Sequence, residues 1–452
     1  MRRGRGARAA VLGAEQSFGR AAHRGDAGRD AGGVTPIRAS VVIVSRDRPG
    51  ALGLCLTALA QSRHANFEVV VVTDAEGEAA LAPWGDRIRI RRCEEANIGL
   101  ARNIGIEAAA GEVIVFLDDD ALPEPGWLAA LTAPFEDETV AAAGGFVRGP
   151  GHLGWQWRAR AAFADGSCRE LALEDDAPVV LRGRLGRGIK TEGTNMAVRR
   201  GVLTAMGGFD PAYRFYLDET DLNLRLAAQG ARTAIVPQAQ VHHGYLASPR
   251  RRHDRVPREL AEIGASLAVF LRRHGARLDG NARIEAERAA QRQRLLAHMF
   301  WGRIAPGDVG RLMAGFEAGV SEGRLRPLPR LAPLDEPPPG FAPLHDEPPT
   351  APAVWLSARP LTARAQMAEA AQLAARGHVV TLLVLWPDAR RHRLRFDRRG
   401  VWVQSGGLFG PALPGDPAFR YWRFAERAAF EEARQRPQRD PAGAGIAETS
   451  PS

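Results

Sequence analysis

The sequence predicts an α/β protein built on a doubly wound, mostly parallel sheet. Three observations carry this expectation. Short apolar runs rich in β-branched residues recur at 39–45, 67–72, 87–91 and 113–117, the spacer after the first carries leucines at helical spacing, and acids gather where the second and fourth runs stop.

The first run, 39–45, enters the turn Arg46-Asp47-Arg48-Pro49-Gly50, and a helix with Leu52, Leu56 and Leu59 follows. The second run, 67–72, ends at Thr73-Asp74, giving strand, helix and parallel strand. A third short strand, 87–91, precedes a helix that opens at Asn97-Ile98-Gly99 and contains Arg102. The fourth run, 113–117, has Gly111 before it, Pro123 and Pro125 after it, and stops at Asp118, Asp119 and Asp120. Its length and β-branched, aromatic content favour a central strand, and ligands in open α/β sheets sit beyond such carboxyl ends. Adjacent carboxylates repel unless a cation or a set of donors is near. Oxygen ligands of this hardness suit Mg²⁺ or Mn²⁺ bridging to a phosphate; the alternative is a solvated acidic turn.

Beyond this point 127–135 reads as a helix and 140–147 as a strand, while 148–188 is irregular, rich in Gly and Arg, and carries Trp155 and Trp157. Leu222, Leu226 and Ala227 repeat at helical spacing behind Asp218, Glu219 and Asp221, so those acids crowd the first turn of an amphipathic helix. A strand at 233–236 and the pair His242-His243 close the unit near residue 250. The organisation read from the chain is a tail at 1–36, an α/β domain at 37–250, a helical extension at 251–326, a proline-rich linker at 327–352, a small α/β module at 353–430 and a tail at 431–452. The module is marginal for independent stability at its size.

Net charge is +9, yet arginine supplies nearly all the cations and Lys190 is the single lysine. Arginine is spread throughout and does not interleave with aromatics on one strand face, so no nucleic-acid partner is expected. The arginine-rich surface would favour peripheral contact with an anionic membrane. Cys55, Cys93 and Cys168 lack metal-type spacing, and their odd number argues for a reducing compartment. Without a spanning apolar stretch or a signal-type leader, a cytoplasmic protein is expected.

Five pieces in order, SVVIVSRDRP, FEVVVVTD, NIGLARNIGIEAAAGEVIVFLDDD, GTNMAVRRGVLTAMGGFD and LDETDLNLRL, resemble the family 2 glycosyltransferases over residues 39 to about 246. Those enzymes have the GT-A fold and move a sugar from a nucleotide diphosphate to an acceptor hydroxyl with inversion. The resemblance implies that Asp120 holds a divalent metal, Mn²⁺ or Mg²⁺, with Asp118 near the ribose and sharing the metal, and with Asp119 beside them at the nucleotide. It implies that Asp74, Arg102, Gly193, Thr194 and Asn195 border the nucleotide-sugar, and that His242 or His243 offers an imidazole to the metal. The catalytic base corresponds to Asp218-Glu219, with the order of the two acids reversed relative to the family, so either can serve. Thr73-Asp74 stands where many members read Asp-Asp, which leaves the base preference open. By the same resemblance the acceptor is a glycan or a lipid-linked glycan at the inner membrane face. A degenerate, non-catalytic member and a basic protein that binds nucleic acid or another anion are the alternative readings.

Overall fold

The computed structural model describes residues 36–440 apart from 152, 175, 245, 335–339 and 348. The tail expected at 1–36 and the last part of that at 431–452 therefore lie almost wholly outside the described residues.

The α/β expectation holds. The chain opens with β1 (Ala39–Val44), α1 (Pro49–Leu59), β2 (Phe67–Thr73), α2 (Ala75–Ala80), β3 (Arg89–Arg92), α3 (Ile98–Ala108) and β4 (Val113–Asp118). Then follow β5 (Ala121–Pro123), α4 (Trp127–Thr132), β6 (Val140–Arg148), β7 (Trp155–Trp157), β8 (Arg160–Phe163), β9 (Cys168–Glu170), β10 (Val179–Arg182), β11 (Arg187–Lys190) and β12 (Met196–Arg199). The domain ends with α5 (Arg200–Ala205), α6 (Asp218–Ala228) and β13 (Arg232–His243). In the main sheet the order is β10-β13-β6-β12-β4-β1-β2-β3, with β5 on β13 and β7 on β6. β4 is central, parallel to β1 and antiparallel to β12. Its Val113, Val115 and Leu117 face one apolar cluster, and Ile114 and Phe116 face another. Burial on both faces is why this strand reads as a continuous apolar run rather than an alternating one.

The stretch read as irregular contains short strands, and β11-β8-β9 form a separate antiparallel sheet. β13 is far longer than the strand expected at 233–236. Its register on β6 shifts between Val236 and Gln240, where Pro237 can be accommodated because it need not donate to the ladder.

Three helices, α7 (Ala261–His274), α8 (Gly280–Phe300) and α9 (Pro306–Leu325), form the extension. The proline-rich segment has no helix or strand among its described residues, yet it is pinned down: Leu344 N donates to Phe67 O at 2.8 Å and Arg89 donates to Gly340 O at 2.7 Å. The module consists of β14 (Val354–Ala358), α10 (Ala363–Ala375), β15 (Val380–Trp386), β16 (Arg393–Asp397), β17 (Val401–Gly407) and α11 (Phe424–Arg439), with sheet order β14-β15-β17-β16.

One boundary needs correction. Helix α11 continues past residue 430 to Arg439, whose side chain is completely buried. Its sequence shows no apolar period because ion pairs hold it, among them Arg434 with Asp416 at 2.8 Å and Arg439 with Glu124 at 2.9 Å. The second pair reaches into the first domain. Alongside it, Trp402 Nε1 donates to Gln61 Oε1 at 3.0 Å, and Trp402, Phe396 and Leu394 share an apolar cluster with Ala58 and Leu153. A module too small to stand alone thus completes its core on its neighbour.

Candidate active site

The ends of β1, β2, β4 and β13 meet at one edge of the main sheet, and the three aspartates after β4 divide their work there. Asp118 is the open one, with about 31% of its side chain exposed. Asp119 turns inward, accepting from Ser45 Oγ at 2.7 Å and pairing with Arg48 at 2.6 Å, so the expectation that it lies at the nucleotide with its neighbours does not match its placement. Burial raises its carboxyl to about 7, with Arg48 pulling against the shift. Asp120 is buried; it accepts from Leu246 N at 2.9 Å and lies 3.2 Å from His243 Nε2. Burial opposes its charge, but His243, Arg48 and the backbone donor outweigh that and hold its carboxyl well below the usual range.

Of the two histidines, His243 is the one that lies beside the acids. His243 Nε2 lies 3.2 Å from Asp120 and 3.8 Å from Asp118, and one ligand atom from each of the three residues falls within 4.8 Å of the others. Two hard carboxylates and one imidazole are a donor set suited to Mn²⁺. His242, expected as the ligand, is not at this cluster: its Nε2 bonds Glu124 Oε1 at 2.7 Å, beneath the edge. Adjacent strand residues face opposite ways, so only one of the pair can reach the acids. Burial works against a charged His243, but the Asp120 and Asp118 carboxylates raise its pKa above the ordinary value.

Arg102 is the hinge of the site. Asn97 caps α3 by accepting from Leu100 N at 3.1 Å, and one turn on Arg102 is buried, its guanidinium 5.0 Å from the Phe209 ring. It donates to Asp218 Oδ2 and sits 3.6 Å from Asp118 Oδ1, so it joins the acid at the end of β4 to the acids opening α6. Gly193 lets it pass, since a Cβ there would lie 2.4 Å from the guanidinium.

The acid pair itself follows two residues in left-handed backbone, Tyr216 (φ 73°) and Leu217 (φ 67°). Such conformations cost roughly 1–3 kcal/mol each and gather at functional sites. Asp218 is about 4% exposed, whereas Glu219 is about 21% exposed and pairs with Lys190 Nζ at 2.7 Å. Burial drives Asp218 up to about 7 against the pull of Arg102. Glu219 also carries a burial penalty, yet Lys190 holds it down to about 2.

Other expected residues have structural roles. Asp74 caps α2, accepting from Gly77 N at 2.8 Å and from Asp47 N at 2.9 Å. Asn195 is fully buried and spends its amide on Trp127, Phe146 O and Ala239 O at 2.8–3.0 Å, so it faces the interior rather than a sugar. Thr194 Oγ1 is buried without a hydrogen-bond partner among the described residues. Asp221 pairs with Arg225 and with His274 of α7, tying the extension to α6. Sequence reasoning passed over Arg48, which holds two of the three aspartates, and Lys190. The second had a signal: a chain that uses arginine almost everywhere else keeps one lysine, and it is buried against Glu219 and Glu192.

Comparison with known proteins adds the following. The chain is 27% identical over 256 residues to the O-antigen biosynthesis protein RfbC of Myxococcus xanthus, covering 52% of this chain and 19% of that protein. It is 30% identical over 178 residues to the pre-mycofactocin glycosyltransferase of Mycobacterium tuberculosis, covering 38% of this chain and 35% of that one. The chain thus spans about a fifth to a third of the length of these relatives. A solved structure of the mannosyltransferase PcManGT from Pyrobaculum calidifontis with GDP-Man and Mn²⁺ superposes at a TM-score of 0.38 and 16% identity, covering 64% of this chain and 87% of that one. Residues 36–263, just over half of the 452, match the family model described as glycosyltransferase like family 2, and the chain belongs to that family.

Proposed function

We propose that the protein transfers a sugar from a nucleotide diphosphate to an acceptor hydroxyl with inversion, using a divalent metal. The observation that carries this is the convergence of Asp118, Asp120 and His243 at the carboxyl edge of the central strand. These three would hold Mn²⁺ or Mg²⁺, which when bound neutralises charge on the leaving diphosphate. Arg102, already beside Asp118, orients that carboxylate and sets its distance from α6.

In this reading Glu219 is the base. It is the more accessible of the acid pair, and its carboxylate stays ionised because Lys190 stabilises the charge. As the acceptor oxygen bonds to the anomeric carbon and the bond from that carbon to the phosphate oxygen breaks, the hydroxyl proton passes to Glu219. Asp218, buried on Arg102, positions its neighbour. The unpartnered hydroxyl of Thr194, next to the glycine that lies on Arg102, is a further candidate contact for the donor. The acceptor in this reading is a glycan or a lipid-linked glycan in bacterial polysaccharide or glycoconjugate synthesis, which the O-antigen biosynthesis name of one relative supports. Among the described residues no helix is long and apolar enough to cross a membrane.

The test is thermal shift and calorimetry with UDP, GDP, dTDP and CDP, each with Mn²⁺, Mg²⁺ or EDTA, on the wild type and Asp120→Ala. A ligand at one hundred times its Kd adds about 2.7 kcal/mol to native stability. One nucleotide is expected to raise the melting temperature only with metal, and Asp120→Ala to lose that response. No response to any nucleotide at millimolar concentration would leave the degenerate, non-catalytic reading as the better one.

A further inference from the structure

The C-terminal module has a ligand crevice of its own, of opposite sign. β15 and β17 are parallel, with Trp386 opposite Gly407, so their carboxyl ends finish together. At that edge lies a cavity of about 610 Å³ lined by Trp386, Arg390, Arg391, Arg393, Ser405 and Gly406. Open α/β sheets bind ligands beyond their strands' carboxyl ends.

The cationic charge there is unspent. Elsewhere on the same strand and turn, Arg395 and Arg399 are both neutralised by Asp397, at 2.9 and 2.8 Å. In the cavity Arg390 is shared between Asp388, at 2.6 Å, and the face of Trp386, 4.3 Å from its centroid. The side chains of Arg391 and Arg393 have no ion-pair or hydrogen-bond partner among the described residues, and both residues are exposed. Two unpaired guanidinium forks on a concave wall match the tetrahedral, multiply charged oxygens of a phosphoryl group.

The loop carrying these arginines is held from below. His392 is fully buried, its Nε2 2.9 Å from Gly407 O and its Nδ1 2.7 Å from Gln404 Nε2, and Gln404 in turn donates to the buried Glu431 at 2.9 Å. His392 sits so close to the strand end that a Cβ on Gly406 would lie 2.1 Å from its ring. Beside this loop Phe409 N donates to Asp388 O at 3.0 Å, and exposed Phe419 and Tyr421 gather around the Phe409 ring at 5.5 and 5.8 Å.

We propose that this cavity is a second anion site, taking a phosphoryl group through Arg391 and Arg393, with Trp386 of the same wall against the apolar body of the ligand. The phosphoryl group has two sources, a lipid headgroup or a free phosphorylated compound.

The test uses the full chain in EDTA at low salt. Calorimetry with inorganic pyrophosphate probes the free source, and co-sedimentation with phosphatidylglycerol–phosphatidylcholine against pure phosphatidylcholine vesicles probes the headgroup. Wild type is expected to bind at least one probe, and the Arg391→Ala/Arg393→Ala protein to bind it at least tenfold more weakly with its melting temperature unchanged. Saturable pyrophosphate binding without sedimentation assigns a free ligand; sedimentation only with the anionic vesicles assigns the headgroup. Asp120→Ala should bind as wild type does, and so should Arg398→Ala, which removes an exposed arginine of the turn between β16 and β17 that does not line the cavity. The proposal fails if neither probe binds, if the double variant binds undiminished, if Arg398→Ala loses as much as the double variant, or if Asp120→Ala abolishes binding.

Discussion

Two sheets in this chain end in open carboxyl edges, and the edges carry opposite charge. In the first domain β1, β2 and β4 run in parallel toward Asp118, Asp119 and Asp120. In the module β14, β15 and β17 run in parallel toward Trp386 and the arginines at 390, 391 and 393. Backbone geometry makes a crevice in both places, because parallel strands leave their loops at one end. Side chains then decide the occupant. At the acidic edge nearly every charge is already engaged by another, from Arg48 through His243 to Arg102 and Lys190, and three ligand atoms of Asp118, Asp120 and His243 converge within 4.8 Å of one another. At the basic edge the guanidiniums of Arg391 and Arg393 have no acid to answer them among the described residues. A cation suits the first and an anion the second.

Glu219→Gln cuts deepest, because it removes the proposed base and leaves the rest of both edges as they are. Loss of general-base catalysis costs roughly 10²–10⁴-fold. Turnover of the nucleotide-sugar should fall by that much with nucleotide binding retained, while Asp218→Asn should weaken kcat less and be partly tolerated. If Asp218→Asn proves the more damaging, the roles of the two acids are exchanged.

The tie between the edges is the next place to break. Arg439, at the end of α11, is buried against Glu124 at 2.9 Å, and Glu124 holds His242 one residue from His243. Burial opposes the Glu124 charge, but Arg439 and His242 hold its carboxyl far below its ordinary value. Stripping one partner from a buried pair costs about 3–5 kcal/mol. Arg439→Met should therefore lower the melting temperature sharply, and Arg439→Met/Glu124→Gln should recover much of it. The sign of the pH effect follows from the depressed pKa. The native state keeps Glu124 ionised, so its contribution is present above the unfolded-state pKa, near 4.5, and drains away as pH falls below it. The wild type should lose stability faster than the double variant below that point. A wild type and double variant that respond alike to acid would remove Glu124 as a pH-sensitive tie.

How much of this was legible in the sequence depends on range. Local pattern identified the sheet, because β4 is a short apolar run that stops at acids, and it placed Asp218 and Glu219 in the first turn of a helix. It did not separate His242 from His243, since the choice depends on strand register: His243 faces Ala121 and His242 faces Leu122, and a one-residue slip exchanges them. Asn195 looked like a loop residue at the sugar, but its position beside Trp127 and β6 is a tertiary fact. Arg439 and Glu124 are 315 positions apart, and no periodicity announces such a pair. Polar composition made the end of α11 look like a tail, when its charges serve as its contacts.

The smallest effect sharpens the comparison most, since it concerns Lys190, which with Arg102 is a cation buried within the acidic edge. Lys190 is fully engaged, 2.7 Å from Glu219 and 3.5 Å from Glu192, and burial working against its charge is outweighed by those two carboxylates, which raise its pKa. It stays protonated at any working pH, and its charge is what keeps Glu219 down to about 2. In Lys190→Met only Asp218 and Arg102 are left to answer the burial penalty on Glu219, and its pKa should climb. A base must be ionised to act, so activity requires pH above that pKa. The acidic limb of the kcat/KM profile should therefore move upward in the variant, with activity recovered as pH rises past the shifted pKa. Lys190→Arg keeps the charge and should keep the limb where it is. If the limb does not move in Lys190→Met, Glu219 is not the titrating base and the lysine serves the fold alone.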